Sequence, residues 1–448
     1  MRIFSVLILI CLSFNATANS TTPLDRYFIA DTGKISWSVL DETHHDGVLQ
    51  IDITLHSLYW PNVNTQWQHR LTLFIPQQPN LNLGIFYIQG GINRPLSGVV
   101  KKRDALPYLK QAQLLNSVII LLNDVPNQYL SIAHNQPMKE DDLMAYGWLK
   151  LLTTNQSYWS PHYPMAKAGH IALDTAVNIL QKKSLAPNGY ILSGLSKRGW
   201  ASWLLMLKDE RIHALMPTVI NTLDLANTLP HIKKSLGDWP EAFTPYKKKG
   251  ITDFVGTSKF NQVIAHEDPW YFYKQGYYKN RFSIPILNLT SAGDDFFVPN
   301  ANNNLIRQFS AINLTRVLPN EAHYIKLADY LNVMNDFYYS LTTSTLPHIE
   351  WQITNDQIHQ VTSNAKPNKV ILWHAQNTQR DFRYRSGIRY ESSTLSPSCN
   401  KKSTTCTVKL ETFPDNKHYH AHFVEWHFPK GIVTTPVYIF PDQYGQLK

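Results

Sequence analysis

The amino-acid sequence predicts an α/β protein whose core is a doubly wound, mostly parallel sheet. From residue 84 onward, continuous apolar runs such as Ile85–Ile88 and Val118–Leu122 alternate with helical patterns, which is typical of strands buried on both faces. Residues 222–281 interrupt this alternation with a mixed, aromatic and basic stretch, which indicates a lid inserted over the carboxyl edge of the sheet. From about residue 345, short strand-like runs bounded by turn residues predict a C-terminal β-sandwich.

The strands that precede this sheet in the chain have a different pattern. Residues 23–82 alternate polar and apolar side chains, as in Val48–Ile53 and Arg70–Ile75, and this period of two predicts antiparallel strands. The parallel part follows as alternating helices and strands. The predicted helices are Asp104–Leu115, Pro164–Lys183, Asn300–Phe309 and Ile325–Leu341, and the later strands are Ala214–Ile220, Ile284–Leu289 and Leu314–Leu318.

The first 18 residues carry the features of a secretory signal. A basic start at Met1-Arg2 is followed by the apolar run Ile3–Leu12 and by a small-residue cleavage pattern that ends at Ala18. We therefore expect the chain to be cut after Ala18 and exported to the periplasm or the extracellular space. The apolar run is too short to span a bilayer, so no stable membrane insertion is expected.

The composition fits a packed globular protein with room for two domains. Of the 448 residues, 43% are hydrophobic and 17% are charged, proportions that argue against disorder. The predicted boundary separates a sheet domain at 19–344 from the sandwich at 345–448. The formal net charge of +9 comes from scattered Lys and Arg residues without a basic stripe, which excludes nucleic acid as a partner of an exported chain.

The stretch Gly189–Trp200 contains the strongest candidate for catalysis. A short apolar run leads to Gly194, the chain turns, and a helix-forming segment follows, so Ser196 lies at a strand-to-helix corner. Such a corner is the geometry of a nucleophile elbow, which presents a serine hydroxyl above the sheet. The usual pattern has a small residue two positions after the serine, whereas Arg198 stands here and Gly199 follows one step later. The alternative interpretation is a serine that only caps the helix.

Two partners for this serine follow later strands of the predicted sheet. Asp294 comes just past the strand that ends at Leu289, and His323 lies on the loop after the next strand. Because the carboxyl ends of parallel strands meet at one edge, we expect Ser196, Asp294 and His323 to form a catalytic triad. The neighbouring Asp295 remains an alternative acid, since the register at the end of a strand is ambiguous.

The same chemistry needs two donors that hold the oxyanion of the reaction intermediate. The amide of Lys197, directly after the serine, is predicted to supply one donor. The loop at Gly91-Ile92, after the first buried strand, is predicted to supply the other. We expect no cofactor and no metal in this mechanism.

Nine short motifs between about residues 60 and 390 form a recognisable set. They are Gln89–Asn93, Val125–Gln128, Pro164–Lys167, Ser193–Trp200, Glu267–Trp270, Gly293–Phe297, Pro319–His323, Trp373–Asn377 and Arg380–Arg383. With these motifs the chain resembles the PhoPQ-activated pathogenicity-related proteins, a group of exported α/β-hydrolase-like proteins related to the autocrine proliferation repressor of amoebae.

This resemblance implies an α/β-hydrolase fold and places Ser196, Asp294 and His323 in the triad. The family usually has glutamate where Asp295 stands, which favours Asp294 as the acid, and it shares Arg198 in the elbow. Its name links it to envelope stress and virulence, while its substrate is not established. The elbow also resembles that of glucuronoyl esterases, which keeps a carbohydrate ester among the candidate substrates.

Two cysteines and three histidines near the C-terminus are residue types that can bind metals, but we interpret both groups as structural. Cys399 and Cys406 are the two cysteines beyond the predicted signal, and in an exported chain we expect them to form a disulfide. His418, His420 and His422 share one face of a predicted strand. A polar sheet face is favoured over a metal site there, because no fourth ligand is evident.

The leading functional hypothesis is an exported serine hydrolase that cleaves an ester or amide in a small-molecule, peptide or glycan substrate. In this interpretation Arg198 forms an ion pair and Asp268 shapes the lid, and neither is catalytic. A competing hypothesis is a hydrolase-shaped protein that binds a peptide or glycan without turnover. A third is hydrolysis confined to peptides, with the β-sandwich controlling access.

Overall fold

The computed structural model describes residues 21–60, 66–91, 102–126, 129–132, 136–301, 305, 308–309, 312–343, 347–400, 404–413 and 417–447. The predicted signal segment 1–18, the predicted oxyanion residue Ile92 and the predicted domain boundary at 344 lie outside these ranges. Among the described residues, no helix combines the length and the apolar character that a membrane crossing requires.

In the described part of the chain, nine strands form the central sheet. They are β1 (Ser36–His45), β2 (Val48–Tyr59), β3 (Gln66–Pro76), β4 (Gly84–Ile88), β5 (Ile119–Leu122), β6 (Tyr190–Leu195), β7 (Ile212–Thr218), β8 (Ile286–Ser291) and β9 (Asn313–Leu318). Their order across the sheet is β1-β2-β3-β5-β4-β6-β7-β8-β9. The pairs from β1 to β3 and the pair β3–β5 are antiparallel, whereas all pairs from β5 to β9 are parallel. The predicted change from antiparallel strands to a mostly parallel sheet is confirmed.

Helices cover both faces of this sheet. The helices are α1 (Pro23–Ile29), α2 (Lys102–Leu115), α3 (Glu140–Thr154), α4 (His162–Lys182), α5 (Lys197–Lys208), α6 (Leu225–Leu236), α7 (Thr244–Lys248), α8 (Asn261–Glu267), α9 (Pro269–Lys274) and α10 (Leu327–Thr342). Phe86 and Ile88 of β4 join the core beneath α4 and α5, while Ile85 and Tyr87 join the core beneath α2 and α10. Because alternate side chains point to opposite faces and both faces are covered, the strand is apolar at every position.

The segment between β7 and β8 is the predicted lid, and it is helical, with α6 to α9 inside it. Asp268 is the N-cap of α9 and accepts the amide of Trp270 at 2.8 Å. The same carboxylate accepts the amides of Asp224 at 3.2 Å and Leu225 at 2.9 Å, where α6 begins. One buried carboxylate therefore joins the starts of two lid helices, which confirms the structural interpretation of Asp268.

Two antiparallel sheets follow the α/β part. The first contains β10 (Ile349–Thr354), β11 (Gln357–Ser363), β14 (Ser398–Cys399) and β15 (Cys406–Lys409), and the second contains β12 (Lys369–Asn377), β13 (Glu391–Leu395), β16 (Tyr419–Phe428), β17 (Gly431–Thr434) and β18 (Tyr438–Phe440). Val361 of the first sheet and Val424 of the second belong to one buried cluster, as in a sandwich. The predicted disulfide joins Cys399 and Cys406.

Three elements were not predicted from the sequence, begin at a different residue from the predicted one, or are only partly described. Helix α3 was not predicted, because Leu143–Trp148 are buried at consecutive positions and leave no polar stripe to mark a helix. The strand predicted at Ile284–Leu289 starts two residues later, since Pro285 has no N–H to donate to the ladder. Half of the residues of the helix predicted at Asn300–Phe309 lie outside the described residues.

Candidate active site

Ser196 lies at the sharp corner between β6 and α5. Its backbone has φ 56° and ψ −129°, a conformation that residues other than glycine rarely adopt. Backbone strain of this kind is found at functional sites, where the surrounding fold holds it in place. Its amide donates to the carbonyl of Thr218 at 2.8 Å, and its hydroxyl makes no capping hydrogen bond to α5. The interpretation of Ser196 as only a helix cap is therefore wrong.

Two glycines make this corner sterically possible. A Cβ atom at Gly194 would lie 2.6 Å from the backbone carbonyl of Arg198, and one at Gly199 would lie 2.7 Å from the carbonyl oxygen of Gly194. A Cβ atom at Gly199 would also meet Ile220 Cγ2 at 2.8 Å. The glycine that permits close contact between strand and helix thus stands three positions after Ser196, so the second position is free to carry a long side chain.

His323 and Asp294 meet Ser196 at the carboxyl edge of the sheet. Nε2 of His323 lies 2.9 Å from Ser196 Oγ, and Nδ1 lies 2.9 and 3.0 Å from the two carboxylate oxygens of Asp294. His323 and Asp294 are 3% and 1% exposed, so water competes little for these contacts. The distances fit an imidazole that donates Nδ1–H to the carboxylate and accepts the serine proton at Nε2.

The loop after β8 decides which carboxylate faces the imidazole. Oδ1 of Asp294 accepts the amides of Phe296 at 2.7 Å and Phe297 at 3.1 Å, which orients this carboxylate. Asp295 is turned elsewhere, and its buried Oδ1 has no hydrogen-bond partner within the described part of the chain. Burial and the neighbouring charge of Asp294 raise the pKa of Asp295. The geometry therefore supports Asp294 as the triad acid.

Two of the predicted oxyanion residues lie within the described ranges. Lys197 is the first residue of α5, so its amide has no acceptor inside the helix. Gly91 has φ +152°, and a Cβ atom there would lie 2.1 Å from Oδ1 of Asp124, so glycine is needed beside that carboxylate. The role of the Lys197 and Gly91 amides as oxyanion donors remains a prediction.

Acidic side chains at the start of α3 hold the two basic residues of the elbow. Arg198 donates to the carboxylate oxygens of Glu140 at 2.7 and 3.0 Å and to the carbonyl of Val125 at 2.5 Å. Nζ of Lys197 lies 2.8 Å from Glu140 and 3.3 Å from Asp141. Burial by itself raises the pKa of Glu140, but the charges of Arg198 and Lys197 outweigh burial and lower this pKa to about 2. The ion-pair interpretation of Arg198 is confirmed. Its partner, Glu140, was not predicted from the sequence, although the run of acidic residues at the start of α3 could have indicated it.

A narrow, mostly apolar pocket lies beside Ser196. Trp200 of α5 and Phe296 of the loop after β8 form part of its wall, and His162 and Thr222 are polar members of it. The lid contributes further apolar side chains to the wall: Leu225, Leu229, Phe243 and Tyr246. The insertion between β7 and β8 therefore closes over the candidate nucleophile, where a lid was predicted.

Two of the histidines that were predicted to share a polar sheet face, His420 and His422, are buried. His420 and His422 lie on β16, and His418 precedes it. Nδ1 of His420 is 3.0 Å from Nε2 of His374, and Nε2 of His422 accepts the amide of Ile358 at 3.0 Å. Burial lowers the pKa of His422 to about 3, because the strand is covered by the facing sheet. Within the described residues, no three His, Cys, Asp or Glu side chains are grouped as a metal site.

A protein family and a related protein match most of this chain in sequence. The model of a family described as PhoPQ-activated pathogenicity-related protein matches residues 24–383, a span that includes the elbow and the loops carrying Asp294 and His323. Autocrine proliferation repressor protein A of Dictyostelium discoideum is 26% identical over 406 residues, which cover 84% of this chain and 79% of that protein.

Two solved structures are similar to this chain at low identity. An acetyl xylan esterase from Paenibacillus sp. R4 is 10% identical with a TM-score of 0.47, and the match covers 71% of this chain and 92% of that one. A glucuronoyl esterase from Solibacter usitatus is 11% identical with a TM-score of 0.38, and the match covers 69% of this chain and 89% of that one.

Proposed function

This chain belongs to the family of PhoPQ-activated pathogenicity-related proteins, and from that premise we propose that it is an exported serine hydrolase that cleaves an ester or amide by acyl transfer. The observation that carries the proposal is one imidazole in contact with both partners: His323 lies 2.9 Å from Ser196 Oγ and 2.9 Å from a carboxylate oxygen of Asp294. A serine hydroxyl becomes a useful nucleophile when a positioned base removes its proton.

In the proposed reaction, Ser196 attacks the carbonyl carbon of the substrate while His323 accepts the hydroxyl proton. Asp294 orients the ring and stabilises the imidazolium that forms. The amides of Lys197 and the Gly91 region hold the oxyanion. His323 then protonates the leaving alcohol or amine, and a water deprotonated by the same imidazole releases the acid. No cofactor takes part.

Labelling with a fluorophosphonate probe tests whether Ser196 is an activated nucleophile. We expect the folded full chain to take up one equivalent of probe, and we expect Ser196→Ala to take up none. Heat-denatured wild-type protein is the control for non-specific reaction. Folded wild-type protein that stays unlabelled would instead support a hydrolase-shaped binding protein for a peptide or glycan.

We also propose that the reaction takes place outside the cytoplasm. The signal-like segment 1–18 and the disulfide between Cys399 and Cys406 support this location, because disulfides persist in oxidising compartments. The family description supports a setting linked to pathogenicity. Mass spectrometry of the recovered chain is expected to find Asn19 at its N-terminus in the periplasm or medium; a chain retained in the cytoplasm with Met1 in place would contradict export.

A further inference from the structure

Two buried polar atoms in the pocket beside Ser196 have no hydrogen-bond partner among the residues that the structure describes. They are Nε2 of His162 and Oγ1 of Thr222, on side chains that are each 1% exposed. A buried polar group without a partner has lost its contacts with water and gained nothing in return. Such groups in folded proteins point to a ligand, an ordered water or a function.

The imidazole of His162 is fixed by a carboxylate and by a stacked ring. Its Nδ1 lies 2.6 Å from Oε2 of Glu267, which is completely buried, and the hydroxyl of Ser160 donates to the other oxygen of that carboxylate. The ring stacks on the indole of Trp200, with 4.4 Å between centroids and 18° between planes. Because Nδ1 is committed to Glu267, Nε2 is the nitrogen left for the pocket.

The polarity of the two atoms indicates which chemical group could satisfy both of them. A neutral imidazole that donates Nδ1–H to a carboxylate carries its lone pair on Nε2, so Nε2 of a neutral His162 ring accepts a hydrogen bond. The hydroxyl of Thr222 both donates and accepts. A hydroxyl on the substrate can donate to His162 and accept from Thr222 at the same time. A carboxylate only accepts, so it cannot satisfy Nε2 of His162. An ammonium group can donate to both atoms, but it leaves the hydroxyl hydrogen of Thr222 without an acceptor and brings a charge into a mostly apolar pocket.

We propose that this pocket binds a short, hydroxyl-bearing part of the substrate, with His162 as acceptor and Thr222 as donor. The cavity volume of the pocket is about 40 Å³, which suits a group of a few heavy atoms and not a whole sugar ring. Apolar side chains such as Leu225 and Phe243 cover the carbon atoms of that group. The inference rests on the proposed hydrolase function and names the substrates that its site selects: short hydroxylated esters in preference to their deoxy counterparts.

The test compares matched esters that differ by one hydroxyl. One set varies the acyl chain, with aryl glycolate against acetate and 3-hydroxybutyrate against butyrate, and a second set carries the hydroxyl in the alcohol. We expect kcat/KM to be at least about tenfold higher for the hydroxylated member of one set, because pairing two buried polar groups has an effect of this size. Thr222→Val and His162→Phe are each expected to reduce the ratio about fivefold or more.

For each variant, kcat/KM for the hydroxylated ester is divided by kcat/KM for its deoxy counterpart on a single preparation. A fraction of inactive protein therefore cancels out of this ratio. His162→Phe leaves Glu267 without its partner and can destabilise the fold, whereas Thr222→Val exchanges one hydroxyl for a methyl and keeps the test valid in that event. Leu229→Met alters the apolar wall of the same pocket and is expected to keep the wild-type ratio.

Fluorophosphonate labelling of the same proteins distinguishes a failure of the proposed hydrolase function from a failure of the proposed hydroxyl preference. Wild-type protein without label would overturn the hydrolase function itself. Labelled wild-type protein that hydrolyses both members of every pair within about twofold would overturn this inference alone, since water rather than substrate would then satisfy the two atoms. A hydroxyl preference that neither Thr222→Val nor His162→Phe changes would overturn it as well.

Discussion

At the residue scale, the proposed chemistry depends on which of two consecutive carboxylates reaches an imidazole. Asp294 and Asp295 lie on the loop just past β8, and a shift of one residue along this loop would exchange their positions. Two backbone amides hold the carboxylate of Asp294 towards His323, whereas Asp295 has a raised pKa and an unpaired buried oxygen within the described residues. The loop thus supplies His323 with a carboxylate neighbour whose orientation is already set.

Asp294→Asn is expected to lower kcat about 10³- to 10⁴-fold, because a neutral amide neither stabilises the imidazolium nor keeps the ring in the productive tautomer. Asp295→Asn is the matched control and is expected to change kcat less than about tenfold. Steady-state hydrolysis of an aryl ester measures both. An equal loss in the two variants would show that the carboxylates share the role.

At the scale of elements, helix α3 stabilises the elbow from outside the sheet. Its first residue, Glu140, accepts two hydrogen bonds from Arg198 and contacts Lys197, so the start of α5 is tied to a neighbouring helix. The pKa of Glu140 is about 2 in the folded protein against an ordinary value of 4.5. A carboxyl with a lowered pKa adds stability that is present above pH 4.5 and is lost as the pH falls towards 2.

Glu140→Gln is expected to lower the free energy of unfolding by about 1–2 kcal/mol at pH 7, a value reduced for the partial exposure of this side chain. The difference from wild type should stay constant above pH 4.5 and close between pH 4.5 and 2. Urea denaturation at several pH values measures it. Asp142→Asn removes an exposed partner of Lys249 on the same helix and is expected to change the free energy by less than about 0.5 kcal/mol. A Glu140→Gln difference that persists at pH 2 would contradict the ion-pair account.

At the scale of the whole molecule, the C-terminal sandwich and the central sheet share buried surface. One apolar cluster contains residues of β8, β9, α2 and α10 together with residues of both C-terminal sheets. Arg316 of β9 donates to Glu425 of β16 at 2.5 Å, and both side chains are buried. The amide of Val317 donates to the hydroxyl of Thr434 at 3.0 Å. These contacts predict that the two parts unfold together.

Glu425→Gln is expected to lower the free energy of unfolding by about 3 kcal/mol, because it leaves the buried charge of Arg316 without its partner. Lys326→Gln removes an exposed partner of Glu321 and is expected to cost less than about 0.5 kcal/mol. Urea denaturation followed by far-ultraviolet circular dichroism and tryptophan fluorescence measures both changes. The two probes should give one coincident transition in wild type; two separate transitions would contradict joint unfolding.

Much of the fold could be predicted because its signals are local. The buried strands β4 and β5 are continuous apolar runs, and the corner at Ser196 is marked by neighbouring glycines. The ion pair of Arg198 and Glu140 joins residues 58 positions apart, and the contact of His162 with Glu267 joins residues 105 apart. Periodicity and motif spacing contain no information on such pairs, since the intervening chain can bring many combinations together.

By itself, the sequence determined the alternation of strands and helices, the position of the nucleophile candidate and the two loops that carry its partners. Those features follow from backbone preferences and from burial within a few neighbouring residues. Only the tertiary structure decided that Asp294 faces His323, that α3 holds the elbow, and that His162 brings a polar atom to an apolar pocket. Each of these depends on side-chain directions set by contacts between segments far apart in the chain, which are formed only when the sheet, the lid and the sandwich assemble.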